Sequence, residues 1–168
     1  MAEEMAYTCA VLTMSDKGSR GERQDTSGAY LQEVLAQNGY QLRSYGIVAD
    51  RKEEIVSRLK DLADNLRVAL VVTTGGTGLS PTDVTPQAMA EILDWEIPGL
   101  AEAMRAASIA KTPRGMLSRG KAGVRGRTLI VNLPGSLKAV RENFEVILPV
   151  LPHALEKIQG SDADCGIV

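Results

Sequence analysis

One stretch constrains the fold more than any other: residues 68–74, Val-Ala-Leu-Val-Val-Thr-Thr, which run without a charge and stop in Gly75-Gly76-Thr77-Gly78. A continuous apolar, β-branched run of this length suits a strand buried on both faces, which occurs at the centre of a parallel sheet covered by helices. The rest of the chain repeats the theme. Residues 9–14 form a short apolar run that breaks at Ser15-Asp16-Lys17-Gly18, residues 42–48 alternate like a half-buried strand, and residues 129–133 are again apolar before Pro134-Gly135. Between these runs lie helical patterns. Tyr30, Leu31, Val34 and Leu35 share one face before an Asn38-Gly39 stop, and Asp50 with Glu53 resembles a capping box ahead of Ile55, Val56, Leu59 and Leu62. Thr85-Pro86 reads as an N-cap followed by proline, Pro98-Gly99 opens a further helix, and a last helical pattern from Leu137 is interrupted near Pro149 and Pro152.

Strands alternating with helices imply an α/β fold: a three-layer α/β/α sandwich around a mostly parallel sheet, with ligands beyond the C-terminal strand ends. The 168 residues, 44% of them hydrophobic, suffice for one core. The expectation is a single domain over 1–168, with its core at 7–160 and a frayed tail at 161–168. No apolar run approaches the roughly 20 residues of a membrane helix. The start, Met1-Ala2-Glu3-Glu4-Met5, lacks the basic region of a secretion signal, so a cytoplasmic location is expected. Cys9 and Cys165 lie too far apart in sequence and in the wrong context to suggest a disulfide.

Formal net charge is −2, so the overall field does not favour nucleic acid or an anionic membrane, and any anion is captured locally. The basic concentration is Arg114, Arg119, Lys121, Arg125 and Arg127, five cations in fourteen residues interleaved with glycines. That segment reads as a loop, either solvated or facing phosphate.

Chemistry concentrates in the loops after the strands. In Thr73-Thr74-Gly75-Gly76-Thr77-Gly78 the missing side chains let backbone N–H groups approach an anion, although a tight turn explains the glycines equally. The loop lacks the Lys-Ser/Thr pair of a Walker A motif and the spacing of a dinucleotide fingerprint. Asp83 follows closely. A carboxylate beside a phosphate site repels the ligand unless it holds a Mg²⁺ that bridges phosphate oxygens; the alternative is an Asx-turn before the next helix. Asp50 is most simply a helix cap, yet it also sits past a strand end at the same sheet edge, where it would be a second metal-facing carboxylate. Asn132-Leu133-Pro134-Gly135-Ser136 is a further strand-end loop, with Ser136 a plain N-cap or part of an anion site. His153 is the sole histidine and sits in a late helical pattern, and Cys9 is inside an apolar run, so Ser–His, Cys–His and zinc chemistry are not indicated.

Taken together, Ser15-Asp16, Asp50, Thr74-Gly75-Gly76-Thr77-Gly78, Asp83-Val84-Thr85-Pro86, Pro98-Gly99, Met116-Leu117-Ser118-Arg119 and Asn132-Leu133-Pro134-Gly135 carry a resemblance. Over residues 7–160 the chain resembles the molybdopterin adenylyltransferase family of molybdenum cofactor biosynthesis, including the homologous domain of gephyrin-like proteins. The resemblance implies transfer of AMP from Mg-ATP to the terminal phosphate of molybdopterin, with pyrophosphate released. It also implies a homotrimer or higher oligomer and hand-over to a molybdate-insertion enzyme. By the same resemblance Asp50 and Asp83 are the catalytic, metal-facing pair. Thr74, Gly75, Gly76, Thr77 and Gly78, with Asn132, Pro134 and Gly135, form the nucleotide side; Ser15, Asp16, Ser108, Ser118 and Arg119 form the pterin side. Arg119 or Lys121 is expected to balance ligand charge. One departure is Ser136-Leu137, where relatives often place another proline after Pro134-Gly135. The alternative function is a non-catalytic molybdopterin-binding paralogue acting as a carrier, against which the retention of both aspartates argues. The related molybdate-insertion enzymes carry additional domains, and no extra segment suggests a scaffolding role.

Overall fold

A computed structural model describes residues 6–161. The expectations for the first five residues, for Cys165 and for the tail beyond Ser161 lie outside the described residues. Six strands form one sheet in the order β2-β1-β3-β6-β5-β4. They are β1 (Thr8–Met14), β2 (Gln41–Val48), β3 (Leu70–Thr74), β4 (Trp95–Glu96), β5 (Ala122–Arg125) and β6 (Thr128–Leu133). The first four in spatial order, β2, β1, β3 and β6, are parallel, and β5 and β4 close the other edge antiparallel. The α/β, mostly parallel architecture is therefore as the sequence implies.

Seven helices cover the sheet: α1 (Asp16–Ser19), α2 (Thr26–Gln37), α3 (Lys52–Lys60), α4 (Thr85–Ile92), α5 (Pro98–Lys111), α6 (Leu137–Ile147) and α7 (Leu151–Ile158). Strand periodicity divides the core between two faces. Val11, Leu70, Val72, Leu129 and Val131 point to the side of Leu31 and Leu35 of α2, Met104 of α5 and Phe144 of α6. Ala10, Leu12, Val71 and Ile130 point the other way, to Ile55 and Leu59 of α3 and Met89 and Ile92 of α4. All five residues of β3 are buried, which is why that strand tolerates no charge.

The strand expected over 42–48 forms as β2 at the sheet edge, where Leu42 and Tyr45 remain 39% exposed. Two local expectations change. Thr85 is the first residue of α4, not its cap, and its hydroxyl donates to the Gly75 carbonyl at 3.1 Å. The basic segment is not all loop: a 3₁₀ turn (Pro113–Leu117) leads into β5, which pairs antiparallel with β6. Short strands with glycine and alanine carry too little hydrophobic pattern to be read from sequence.

From β1 the chain passes to β2 on one side and then crosses to β3 on the other. Such a switch of direction opens a crevice between the C-terminal ends of the two diverging strands. Among the described residues no helix is long and apolar enough to cross a membrane.

Candidate functional site

The crevice at the switch point is a cleft of about 520 Å³. Its walls are the end of β1 (Thr13, Met14, Ser15), the end of β3 (Thr74, Gly75, Gly76) and the turn after β6 (Gly135, Ser136). Asp50 and Asp83 enter from two other loops, and the segment from Arg23 to Ser27 closes the side at the start of α2.

The glycine loop is built for close approach. Gly75 has φ +106°, and a Cβ there would lie on the Met14 carbonyl oxygen; Gly76 has φ +68°, and a Cβ there would lie on the Thr85 hydroxyl. Both positions combine a left-handed backbone with no room for a side chain, so only glycine fits. The turn is fixed from below: the Gly75 N–H donates to the Leu133 carbonyl at 3.0 Å, and the Thr74 hydroxyl donates to the Pro134 carbonyl at 2.6 Å. The Gly75 N–H is thus committed to the protein. The N–H groups of Gly76, Thr77 and Gly78 have no acceptor among the described residues, an arrangement that suits an anion.

Asp50 is not a helix cap. Arg51 occupies that position without a side-chain bond, and the Asp50 carboxylate instead accepts the Asp16 N–H at 3.0 Å. Asp16 returns the bond, accepting the Asp50 N–H at 2.9 Å, so the loops after β1 and β2 are stitched together by a reciprocal pair. Burial pushes the Asp50 carboxyl up; the Asp16 N–H bond opposes this, and the charges of Asp16 and Asp83 add to the rise. Asp83 closes a turn back onto Ser80, its carboxylate accepting the Ser80 N–H at 3.0 Å and its own N–H donating to the Ser80 carbonyl at 2.9 Å, in place of the Asx-turn expected ahead of α4, and it lines the cleft. Among the described residues no three acidic, histidine or cysteine side chains form a ready-made metal cage. Two carboxylates lining one cleft nevertheless fit Mg²⁺, which prefers one or two carboxylates completed by substrate oxygens and water.

Among the cleft residues that the sequence does not single out are Asp25 and Arg23. Asp25 caps α2 through the Gly28 N–H at 2.8 Å and also accepts the hydroxyls of Thr13 and Tyr45, each at 2.6 Å. The Asp-x-x-Gly pattern before a helix was its available signal. Burial, then the bond to Asp25, raises the Tyr45 phenol well above its usual range. Arg23 had no signal, being one cation in a polar loop.

Several expected site residues lie elsewhere. Asn132 is 1% exposed; its amide donates to the Thr73 hydroxyl at 2.9 Å and its Oδ1 has no partner among the described residues. It does not line the cleft, nor do Thr77, Gly78 and Pro134. Ser108, on α5, accepts from the Asn143 amide at 2.9 Å. Ser118 and Arg119 border a second hollow of about 390 Å³ shared with Arg105 and Lys121. The Arg119 guanidinium is turned inward, with Nε donating to the Gly78 carbonyl at 2.9 Å and Nη2 to the Asp83 carbonyl at 2.7 Å. Lys121 pairs with Glu96 at 2.7 Å. Both cations expected to meet ligand charge therefore have partners within the protein.

This geometry can bind an anionic ligand against glycine amides while two carboxylates face it. Known proteins share the frame. The family described as a probable molybdopterin binding domain matches residues 10–153. Molybdopterin adenylyltransferase of Helicobacter pylori J99 is 41% identical over 155 residues, 90% of this chain and 87% of that protein. The crystal structure of the molybdopterin biosynthesis enzyme MoaB from Thermus thermophilus superposes with a TM-score of 0.87 at 52% identity, covering 92% of this chain and 98% of that one. The molybdopterin biosynthesis Mog protein from Mycobacterium ulcerans gives 0.85 at 43%, covering 91% and 99%. With the match spanning the strands, the glycine loop and both aspartate loops, the chain belongs to the molybdopterin-binding family of molybdenum cofactor biosynthesis proteins.

Proposed function

We propose that the protein is a molybdopterin adenylyltransferase: it transfers AMP from Mg-ATP to the terminal phosphate of molybdopterin and releases pyrophosphate. The observation that carries this reading is the convergence of Asp50 and Asp83, from separate loops, on a glycine-walled cleft at the sheet's switch point. The name of the Helicobacter relative supports it. A pterin phosphate oxygen attacks the α-phosphorus of ATP, a new P–O bond forms, and the bond to the β-phosphate oxygen breaks with its electrons leaving on pyrophosphate. No side-chain base is required, because a phosphate is already ionised near neutral pH. Mg²⁺, when bound, neutralises phosphate oxygens as charge shifts. The protein's own part is to position: the free amide of Gly76, at the cleft wall, holds an anion, and Asp50, fixed by Asp16, aims a carboxylate into the cleft.

The nucleotide side in this reading is the glycine loop with Asn132, Pro134 and Gly135, and the pterin side is Ser15, Asp16, Ser108, Ser118 and Arg119. Arg119 acts there through the loop it holds. The protein works in the cytoplasm as a homotrimer or larger homo-oligomer, a reading supported by the exposed apolar side chains of Leu79, Met116 and Leu117, and hands its product to a molybdate-insertion enzyme.

The deciding experiment measures pyrophosphate release from Mg-ATP with and without molybdopterin. Pterin-dependent release is expected, and Asp50→Asn and Asp83→Asn should each lower it by about 100-fold or more while the fold is kept. Pterin binding without release identifies a carrier instead.

A further inference from the structure

The cleft has a charge problem. Its lining includes three carboxylates, Asp25, Asp50 and Asp83, and a single cation, Arg23. A phosphate-bearing ligand brings further negative charge, and a cation in direct contact is the ordinary way to offset it. The basic segment cannot supply one from its central members. Arg119 is bound to the Gly78 and Asp83 carbonyls, Lys121 to Glu96, and Arg125 to both oxygens of Asp64 and to the Ile92 carbonyl.

Arg23 differs from all of these. It is exposed, it lines the cleft, and its guanidinium has no hydrogen bond or ion pair among the described residues. The two nearest acids in sequence are both engaged: Glu22 accepts from Arg20 through both carboxylate oxygens, at 2.8 and 3.0 Å, and Asp25 has one oxygen accepting from Gly28 and the other from Thr13 and Tyr45. The loop is anchored on either side of Arg23. Asp25 ties one end to β1 and β2, and on the other the Glu22 N–H donates to the Lys17 carbonyl at 2.9 Å. The backbone that carries Arg23 is held at the cleft, and only its side chain is left without a partner.

We infer that Arg23 is a ligand-binding residue, the cation that contacts a phosphate group of the anion held in the cleft. This rests on the adenylyl-transfer reading for the identity of that anion, which is either the terminal phosphates of the nucleotide or the phosphate of the pterin. A guanidinium presents paired N–H donors that match two phosphate oxygens, which an ammonium does not.

The test is calorimetric titration of the full chain with inorganic pyrophosphate, at low salt and with Mg²⁺, comparing the native protein with Arg23→Ala and Arg23→Lys. The dissociation constant should rise about tenfold in Arg23→Ala, with less than half of the loss recovered in Arg23→Lys and the melting temperature unchanged in both. Equal binding by the native protein and Arg23→Ala overturns the inference, as does a native protein that binds no pyrophosphate. Repeating the titration with ATP, AMP and molybdopterin identifies the source. A loss with ATP but not AMP assigns Arg23 to the nucleotide's terminal phosphates, and a loss with molybdopterin assigns it to the pterin phosphate. Failure of the adenylyl-transfer reading looks different: ATP and molybdopterin together yield no pyrophosphate, while Arg23-dependent anion binding persists.

Discussion

Two glycine-rich segments look alike on paper and behave oppositely in the fold. Residues 74–78 carry glycines and hydroxyls and no charge; residues 114–127 carry glycines and five cations. The charged segment is the one spent on structure. Arg119, Lys121 and Arg125 are all engaged within the protein, and Gly120 and Gly123 are pressed against the Asn132 and Trp95 carbonyls. The uncharged segment leaves three amides without acceptors among the described residues, that of Gly76 at the cleft wall. A site is therefore marked by polar groups left unpaired, not by the density of polar residues.

The sharpest way to break this contrast is at the glycines. Gly75→Ala forces an alanine into φ +106° and onto the Met14 carbonyl, whereas Gly126→Ala meets φ +58° with open space around it. The first should cost about 3 kcal/mol or more, and the second about 1 kcal/mol. Denaturant melts of the two variants check this. Equal costs would mean that the glycine loop is no more crowded than an ordinary hairpin turn.

The next effect concerns Arg119, which belongs to the basic segment and bonds the glycine loop. Its bonds to the Gly78 and Asp83 carbonyls bind the basic segment to the back of the site loop. Arg119→Ala should lose about 2 kcal/mol of stability, and Arg119→Lys should recover less than half, because one ammonium cannot span both carbonyls in the guanidinium's planar geometry. A variant that melts like the native protein but fails to bind ligand would move Arg119 from positioning to direct contact.

These examples indicate what was legible beforehand. The parallel core strands were readable because β3 and β6 are buried on both faces and so carry uninterrupted apolar runs. β4 and β5 were not, since two exposed residues and Ala-Gly-Val-Arg carry no periodicity. The glycine loop and its two aspartates were visible as residue types at strand ends. What each group is paired with was not visible. Asp50 as a cap and Arg119 as a free cation are both reasonable from local pattern, and both are undone by partners 34 to 41 residues away in sequence. Arg23 and Asp25 reach the cleft through tertiary placement, with Asp25 held by Thr13 and Tyr45 across 12 and 20 residues.

The smallest prediction concerns two aspartates whose carboxyls are shifted in opposite directions. Burial raises Asp50, so its ionised form is less favourable in the folded chain than in the unfolded one. That cost is present above the folded-state value and disappears as pH falls through it. The hydrogen bond to Arg125 lowers Asp64, so ionised Asp64 stabilises the fold above its unfolded value, and this contribution fades as pH falls. Asp50→Asn keeps an acceptor for the Asp16 N–H and removes the buried charge, so it should raise stability at pH 7 by up to about 1 kcal/mol while lowering AMP transfer by about 100-fold or more. Asp64→Asn breaks an ion pair that is 44% exposed on the acid's side, and solvent screening holds the loss below about 1 kcal/mol. Thermal melts from pH 7 towards pH 4 separate the two, since the gain in Asp50→Asn should shrink with acid and so should the loss in Asp64→Asn. If Asp50→Asn instead melted below the native protein at pH 7, its carboxylate would be a structural tie like those of the basic segment, and the contrast between a strained site and a satisfied scaffold would fail at its central residue.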